Sequence, residues 1–225
     1  MPDTYTLSWD GTGQRLFETG VRNVVLYTKT GTNDAWKGYA WNGVTSISES
    51  PEGADLNDIY ADDIKYASIR AAETFGGSIE AYTYPDAWAA CDGSVEIFDG
   101  ITIGQQARRE FALCYRTAIG SDEITDLDTA YKLHIVYGCT ASPSERSYET
   151  INDSPDAITF SWDFSSTPVT STGNKPVSCL TIDSTKIPTA KAAKLTSLLT
   201  QLYGNGTNDA TLLMPDEIAA HFAAS

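Results

Sequence analysis

The stretch Ile158-Thr159-Phe160-Ser161-Trp162-Asp163-Phe164 puts Ile158, Phe160, Trp162 and Phe164 on one side of an extended chain and Thr159, Ser161 and Asp163 on the other. Successive side chains of a strand point to opposite faces, so this period of two describes a half-buried strand and not a helix. The same alternation recurs at 131–137, where Tyr131, Leu133, Ile135 and Tyr137 oppose Lys132, His134 and Val136, and at 111–115, with Phe111, Leu113 and Tyr115 in phase. Weaker strand signals lie at 23–29, 37–47, 64–72, 77–83, 94–103 and 177–183. The 94–103 stretch is broken by Asp99-Gly100, a turn or bulge signal. Many short strands with turn residues between them predict a mainly β fold, a sandwich or barrel.

Helices are few and punctuated. Pro85 to Gly93 carries proline at the first helical position, Asp86 in the first turn and glycine where the chain leaves the helix, which predicts two turns. Residues 190–203 repeat Ala192, Leu195, Leu198, Leu199 and Leu202 at three- and four-residue spacing before Gly204. A third helix is expected from Pro215 to about Ala224, with Asp216 and Glu217 at its positive end. These signals divide the chain into an amino-terminal arm (1–20), a β domain (21–188) and a carboxyl-terminal helical extension (189–225). Inside the β domain, 46–63 reads as a long irregular loop holding Glu49, Glu52, Asp55, Asp58, Asp62 and Asp63 with no Lys or Arg. The 141–157 connection, with Pro143 and Pro155, also reads as unable to pack alone.

Composition narrows function. The 225 residues include 15 Lys plus Arg against 30 Asp plus Glu, a formal charge of −15, so the basic footprint of a nucleic-acid binder is absent. No apolar run approaches the ~18 residues of a membrane-spanning helix, and no membrane partner is expected. The start, Met1-Pro2-Asp3-Thr4-Tyr5-Thr6, lacks the basic and apolar regions of an export signal, and the expectation is a chain that matures where it is made. Cys91, Cys114, Cys139 and Cys179 show neither C-x-x-C nor metal spacing and read as reduced, buried small residues.

Motifs for chemistry fail one by one, and no enzymatic activity and no cofactor is expected. Gly11-Thr12-Gly13-Gln14-Arg15-Leu16 begins like a dinucleotide fingerprint but lacks its third glycine and a preceding strand. Neither a phosphate-cradling G-x-x-x-x-G-K-[ST] nor a G-x-S-x-G nucleophile elbow occurs. Only His134 and His221 could serve a triad or a zinc site, and both read as ordinary structural residues. Asp62-Asp63 and Asp122-Glu123 supply acid pairs without one acid set apart for glycoside hydrolysis. Asp122, Glu123, Asp126 and Asp128 could crowd oxygens around calcium, but their spacing is not that of an EF-hand, and a solvated acidic loop is expected there. Trp9, Trp36, Trp41, Trp88 and Trp162 are dispersed and read as structural or interfacial, not as a sugar platform.

Three longer stretches carry a resemblance. They are Lys37-Gly38-Tyr39-Ala40-Trp41-Asn42-Gly43-Val44 running into Ile59-Tyr60-Ala61-Asp62-Asp63-Ile64-Lys65-Tyr66; Gly77-Ser78-Ile79-Glu80-Ala81-Tyr82-Thr83-Tyr84-Pro85; and Asn152-Asp153-Ser154-Pro155-Asp156-Ala157-Ile158-Thr159-Phe160-Ser161-Trp162. Between them, 111–117 and 141–148 add to it. From about Gly20 to Pro188 the chain resembles the major tail tube proteins of long, non-contractile-tailed (siphovirus-type) bacteriophages; 190–225 match less well. The resemblance implies a tail-tube-type β-sandwich or barrel with a short flanking helix, here 85–92. It also implies hexameric rings that stack into a virion tail tube, assembled in the host cytoplasm, and conduct viral DNA into the host cell. The partners it implies are other copies of the chain, a tape-measure protein inside the tube, and tail-tip or baseplate and terminator proteins at its ends. DNA would pass without specific binding.

Four strands from each of six such subunits would close an inner barrel. With strands ~4.8 Å apart and tilted ~40°, its backbone diameter is roughly 48 Å and its lumen roughly 38 Å, wide enough for a duplex. Six chains would also bring about −90 charges to each ring, and an acidic wall would repel the cargo it conducts. A multichain barrel leaves each monomer with unpaired strand edges, so the 1–20 arm and the 46–63 segment are expected to cross between subunits or rings. The residues singled out for that role are Trp9, Arg15, Glu49, Glu52, Asp55, Asp58, Tyr60, Asp62 and Asp63. Two other readings remain open from sequence: a tube subunit of a non-viral injection or secretion machine, and a glycan-binding or glycan-active β-sandwich.

Overall fold

The computed structural model describes residues 9–30, 35–53, 55–123, 130–148, 150 and 157–223. It is mainly β, with strands β1 (Leu16–Thr30), β2 (Ala35–Ala40), β3 (Val44–Gly53), β4 (Leu56–Ala61), β5 (Ile64–Arg70), β6 (Glu73–Ala81), β7 (Val95–Phe98), β8 (Ile101–Ile103), β9 (Phe111–Ser121), β10 (Tyr131–Ala141), β11 (Phe160–Ser166) and β12 (Cys179–Asp183). The helices are α1 (Ala89–Asp92), α2 (Ala192–Tyr203) and α3 (Pro215–Ala223), the first two each entered through a 3-10 turn. None of them is long and apolar enough to cross a membrane.

The strands form two facing layers that share one ladder. The antiparallel order β2-β1-β9-β10, with β12 on the far side of β10, makes the first layer; β11-β6-β3 makes the second. The link is β10 itself, whose residues 132–136 pair with β12 and whose residues 139–141 pair with β11. The strand bends between these halves at Gly138. There φ is +60° and an added Cβ would stand 2.1 Å from the Thr167 carbonyl, so only glycine fits. The bend also reverses which face the odd residues present. Leu133, Ile135 and Tyr137 face the carboxyl-terminal helices, whereas Cys139 and Ala141 face the space between the layers.

Between the layers lies the larger core, built from Leu26, Ile79, Phe111, Leu113, Trp162 and Phe164. Trp41, Trp88 and Trp162 meet at its centre with ring centroids 4.7–5.7 Å apart. The three lie far apart in sequence and arrive from the end of β2, the turn before α1 and the middle of β11, so the structural reading holds for them, with Trp162 on the core face as its alternation predicts. That turn and α1 close one end of the sandwich with Trp88 and Cys91, and Gly93 ends α1 in a left-handed conformation, as the sequence predicts.

A second core covers the opposite face of the first layer. Val25, Tyr27, Ala112, Cys114, Leu133 and Ile135 pack against Leu195, Leu198 and Leu202 of α2 and Ile218 of α3. The hydroxyl of Tyr27 donates to the Leu202 carbonyl at 2.6 Å, and that of Tyr137 to the Leu213 carbonyl at 3.0 Å. Residues 189–223 thus form a third layer, and β9 and β10 are buried on both faces instead of one. The cysteine expectation holds for Cys91, Cys114 and Cys139 but not for Cys179, which lies exposed on β12. Two segment boundaries also move. Residues 16–20 of the expected arm already belong to β1, and 46–63, expected as an irregular loop, is strand over most of its length.

Candidate assembly surface

A ribbon leaves the sandwich at the end of the second layer. β3 pairs with β6 from Val44↔Ala81 to Gly53↔Glu73; the Ala71 amide then donates to the Asp55 carbonyl at 2.9 Å, and β4 continues against β5. Its tip is the two-residue turn Asp62-Asp63, with φ of +50° and +58° between Ala61 and Ile64. Two consecutive left-handed residues are the geometry of a type I′ turn, whose twist matches that of the strands, and Asp tolerates it better than most residues. Ala61-Asp62-Asp63-Ile64 was therefore a hairpin signal, and the runs on either side of it read as strands only when the turn is recognised.

The outer part of this ribbon is amphipathic, yet among the described residues it is covered on neither face. Pairing places Asp58, Ser68, Tyr60 and Lys65 together, and there the Asp58 carboxylate accepts from Ser68 Oγ at 2.6 Å and from Lys65 Nζ at 2.8 Å. The bonds to Lys65 and Ser68 hold the Asp58 carboxyl below its ordinary range. The other face carries Ile59, Ala61, Ile64, Ala67 and Ile69 with Asn57. Nearly every residue of β4 and β5 is exposed, Leu56, Tyr60 and Tyr66 among them. A two-stranded hairpin in water is marginal by itself, and covering this apolar face would contribute about 5 kcal/mol, allowing for the fraction already shielded.

Two further apolar surfaces stand near the sandwich. The hairpin β7–β8 exposes Val95, Ile97, Phe98, Ile101 and Ile103 around the turn Asp99-Gly100, the break the sequence signals. The beginning of β1 exposes Leu16 and Phe17, and before it Trp9 is 76% exposed.

Of the residues chosen from sequence, the structure gathers Asp55, Asp58, Tyr60, Asp62 and Asp63 on the outer ribbon and Glu52 on β3 at its base. Trp9 and Arg15 belong to another region, where the Arg15 guanidinium donates to the Asp10 carbonyl at 3.2 Å. Glu49 is engaged within the chain, accepting a 2.5 Å hydrogen bond from the Tyr115 hydroxyl that ties β3 to β9. Burial first, and this bond second, push the Tyr115 hydroxyl well above the usual phenol range.

Tyr115 belongs to a polar strip that sequence reasoning did not assemble. His134 stacks on the Tyr115 ring with centroids 4.9 Å apart, and its Nε2 lies 3.0 Å from Thr117 Oγ1. Glu18 of β1 accepts from Thr117 Oγ1 at 2.5 Å, pairs with Lys132, and stands 3.3 Å from His134. Burial raises the Glu18 carboxyl, but the bonds from Lys132 and Thr117 outweigh it and hold the group below its ordinary value. These contacts fix β1 to β9 and β10; their signal in sequence is the polar phase of strands whose other phase is apolar. Of the acidic loop weighed against calcium, Asp122 accepts from the Gly13 amide at 3.0 Å, and Asp126 and Asp128 lie outside the described residues.

The apolar ribbon face and the second apolar hairpin have the exposed apolar character of surfaces that associate with other chains. No family model matches the chain, and no curated protein is significantly similar to it.

Proposed function

We propose that this chain is a structural subunit that assembles with copies of itself, and that the assembly is the tail tube of a long, non-contractile bacteriophage tail. The observation that carries the reading is the β4–β5 ribbon, a projection whose apolar face, Ile59, Ala61, Ile64, Ala67 and Ile69, is covered by nothing among the described residues. An isolated subunit exposes the ribbon at a cost in free energy, and a ring or stack that covers it recovers that cost. The ribbon passes from one subunit to the next, between neighbours in a ring or between successive rings. Repetition of such a heterologous contact gives closed rings when the rotation closes and an open stack along the axis.

In this reading the protein performs no catalysis. Its work is to form a wall, and its −15 charge keeps subunits apart before assembly and keeps DNA from adhering afterward. Tube length is then set from outside the subunit, by a tape-measure protein in the lumen, with tip and terminator proteins at the two ends.

Negative-stain microscopy of the purified protein tests the proposal. Rings or tubes are expected, and their loss in Ile59→Ser/Ile69→Ser at unchanged monomer melting temperature would assign them to the ribbon. A protein that stays monomeric at high concentration contradicts the reading.

A further inference from the structure

The two layers of the sandwich nearly close into a barrel, and they fail to close at one seam. β1 pairs with β9 on one side from Leu16 to Thr28, with bulges between Thr19 and Val25, but on its other side it pairs with β2 only over Val25–Thr30. β3 pairs with β6 alone. The unpaired side of Glu18–Val21 therefore faces the unpaired side of Thr45–Ile47 across an open trough of about 310 Å³. Val21 and Ile47 are half-buried against the core beneath it, and Thr19, Thr45, Ser46 and Thr117 line its sides together with Glu18, whose carboxylate is already engaged by Thr117 and Lys132. Two strand edges with an apolar floor form a site for an added strand, which gains backbone hydrogen bonds and seats every second side chain.

We infer that this seam receives Thr4–Trp9 of a second copy of the chain. The segment reads Thr4-Tyr5-Thr6-Leu7-Ser8-Trp9, uncharged, with Tyr5, Leu7 and Trp9 in one phase and hydroxyl side chains in the other. It is therefore a strand suited to a trough with an apolar floor and hydroxyl-bearing walls. The turn that precedes β1 favours a neighbour over the chain's own segment. The Gln14 amide donates to the Gly11 carbonyl, the Leu16 amide to the Gln14 carbonyl, and Gly13 is held on Asp122 beyond the end of β9. Among the described residues no ladder joins Trp9 and Asp10 to Arg15 and Leu16. From Trp9, eight residues span up to about 27 Å, enough to reach an adjacent subunit. The inference rests on the self-assembly proposed above and names one of its contacts.

The test uses full-length protein in a Cys179→Ser background, because that thiol is exposed. Thr6→Cys and Thr45→Cys are introduced together, and isotopically light and heavy preparations are mixed, assembled, oxidised and digested for mass spectrometry. Thr45 is exposed, so its replacement leaves the core intact. The expected result is a linked peptide joining positions 6 and 45 of light and heavy chains, reduced at least tenfold by Ile47→Asp. A 6–45 link found only within single chains, or none at all, overturns the inference whether or not tubes form. Microscopy of the same samples separates the two claims: the mixed link without rings or tubes supports the seam and sinks the tube, and tubes without the link do the reverse.

Discussion

Two of the outer strands of the large sheet, β2 and β3, are treated in opposite ways. At β2 the edge is sealed: the Gly38 amide donates to the Ala210 carbonyl at 2.8 Å, the Trp36 carbonyl accepts from Thr211 Oγ1 at 2.9 Å, and Lys37 pairs with Asp209 at 3.0 Å. The approach is so close that a Cβ on Gly38 would meet that of Ala210 at 2.7 Å. At β3 nothing in the described chain covers the edge, and the strand runs on into an uncovered apolar ribbon. Open edges invite pairing with other chains, and proteins that live as monomers blunt them. Sealing one edge with the chain's own carboxyl-terminal segment while leaving the other bare is the asymmetry that the proposed self-assembly requires.

The largest effects should fall on the sealed half. Trp88→Ala, at the centre of the indole cluster and fully buried, should cost about 3–5 kcal/mol in chemical denaturation. Gly138→Ala should cost about 2 kcal/mol or more, because it combines a left-handed backbone with a clash against Thr167. An unchanged denaturation midpoint would mean that the bend linking the layers is not needed. Tyr27→Phe, which leaves the buried Leu202 carbonyl without its donor, should cost about 1–2 kcal/mol and loosen α2 first, as amide exchange would report.

Acid should act on the β1 attachment. The folded Glu18 carboxyl titrates below its unfolded value, so its contribution is present above the ordinary glutamate range and disappears as pH falls through the lowered value. Glu18→Gln should flatten the acid limb of stability against pH below about pH 4.5. An identical acid limb in the variant would show that the Glu18–Lys132 pair does not couple to folding. The smallest effect belongs to the bare side. Asp63→Gly relieves a left-handed non-glycine residue at the ribbon tip, and it should stabilise the hairpin by about 0.5 kcal/mol without moving the global unfolding transition.

The sealed and bare halves were not equally legible in the sequence. Strands β9, β10 and β11 announced themselves through alternation, and Phe160, Trp162 and Phe164 do face the core. For β9 and β10 the alternation was only half of the pattern, because Ala112 and Cys114 of β9 and Leu133 and Ile135 of β10 belong to a second core that exists once α2 and α3 dock. An amphipathic helix shows which stripe it buries but not which surface receives it. The ribbon was obscured for a different reason. Acidic residues are depleted in strands, so 46–63 read as a loop, and the structure stabilises it by a local turn and by Asp58–Lys65 and Asp58–Ser68 contacts across the pair. Glu49 illustrates the limit of composition, since an acid selected for contacts between subunits is held inside the chain by a tyrosine 66 positions away.

Hydrogen exchange on free and assembled protein reads the contrast between the two halves in one experiment. The account predicts that amides of Leu56–Ala61 and Ile64–Arg70 exchange fast in the free chain and become strongly protected on assembly, while those of Phe111–Cys114, already buried, change little. Equal, fast exchange of the ribbon in both states would contradict it, because the bare side would then have no partner.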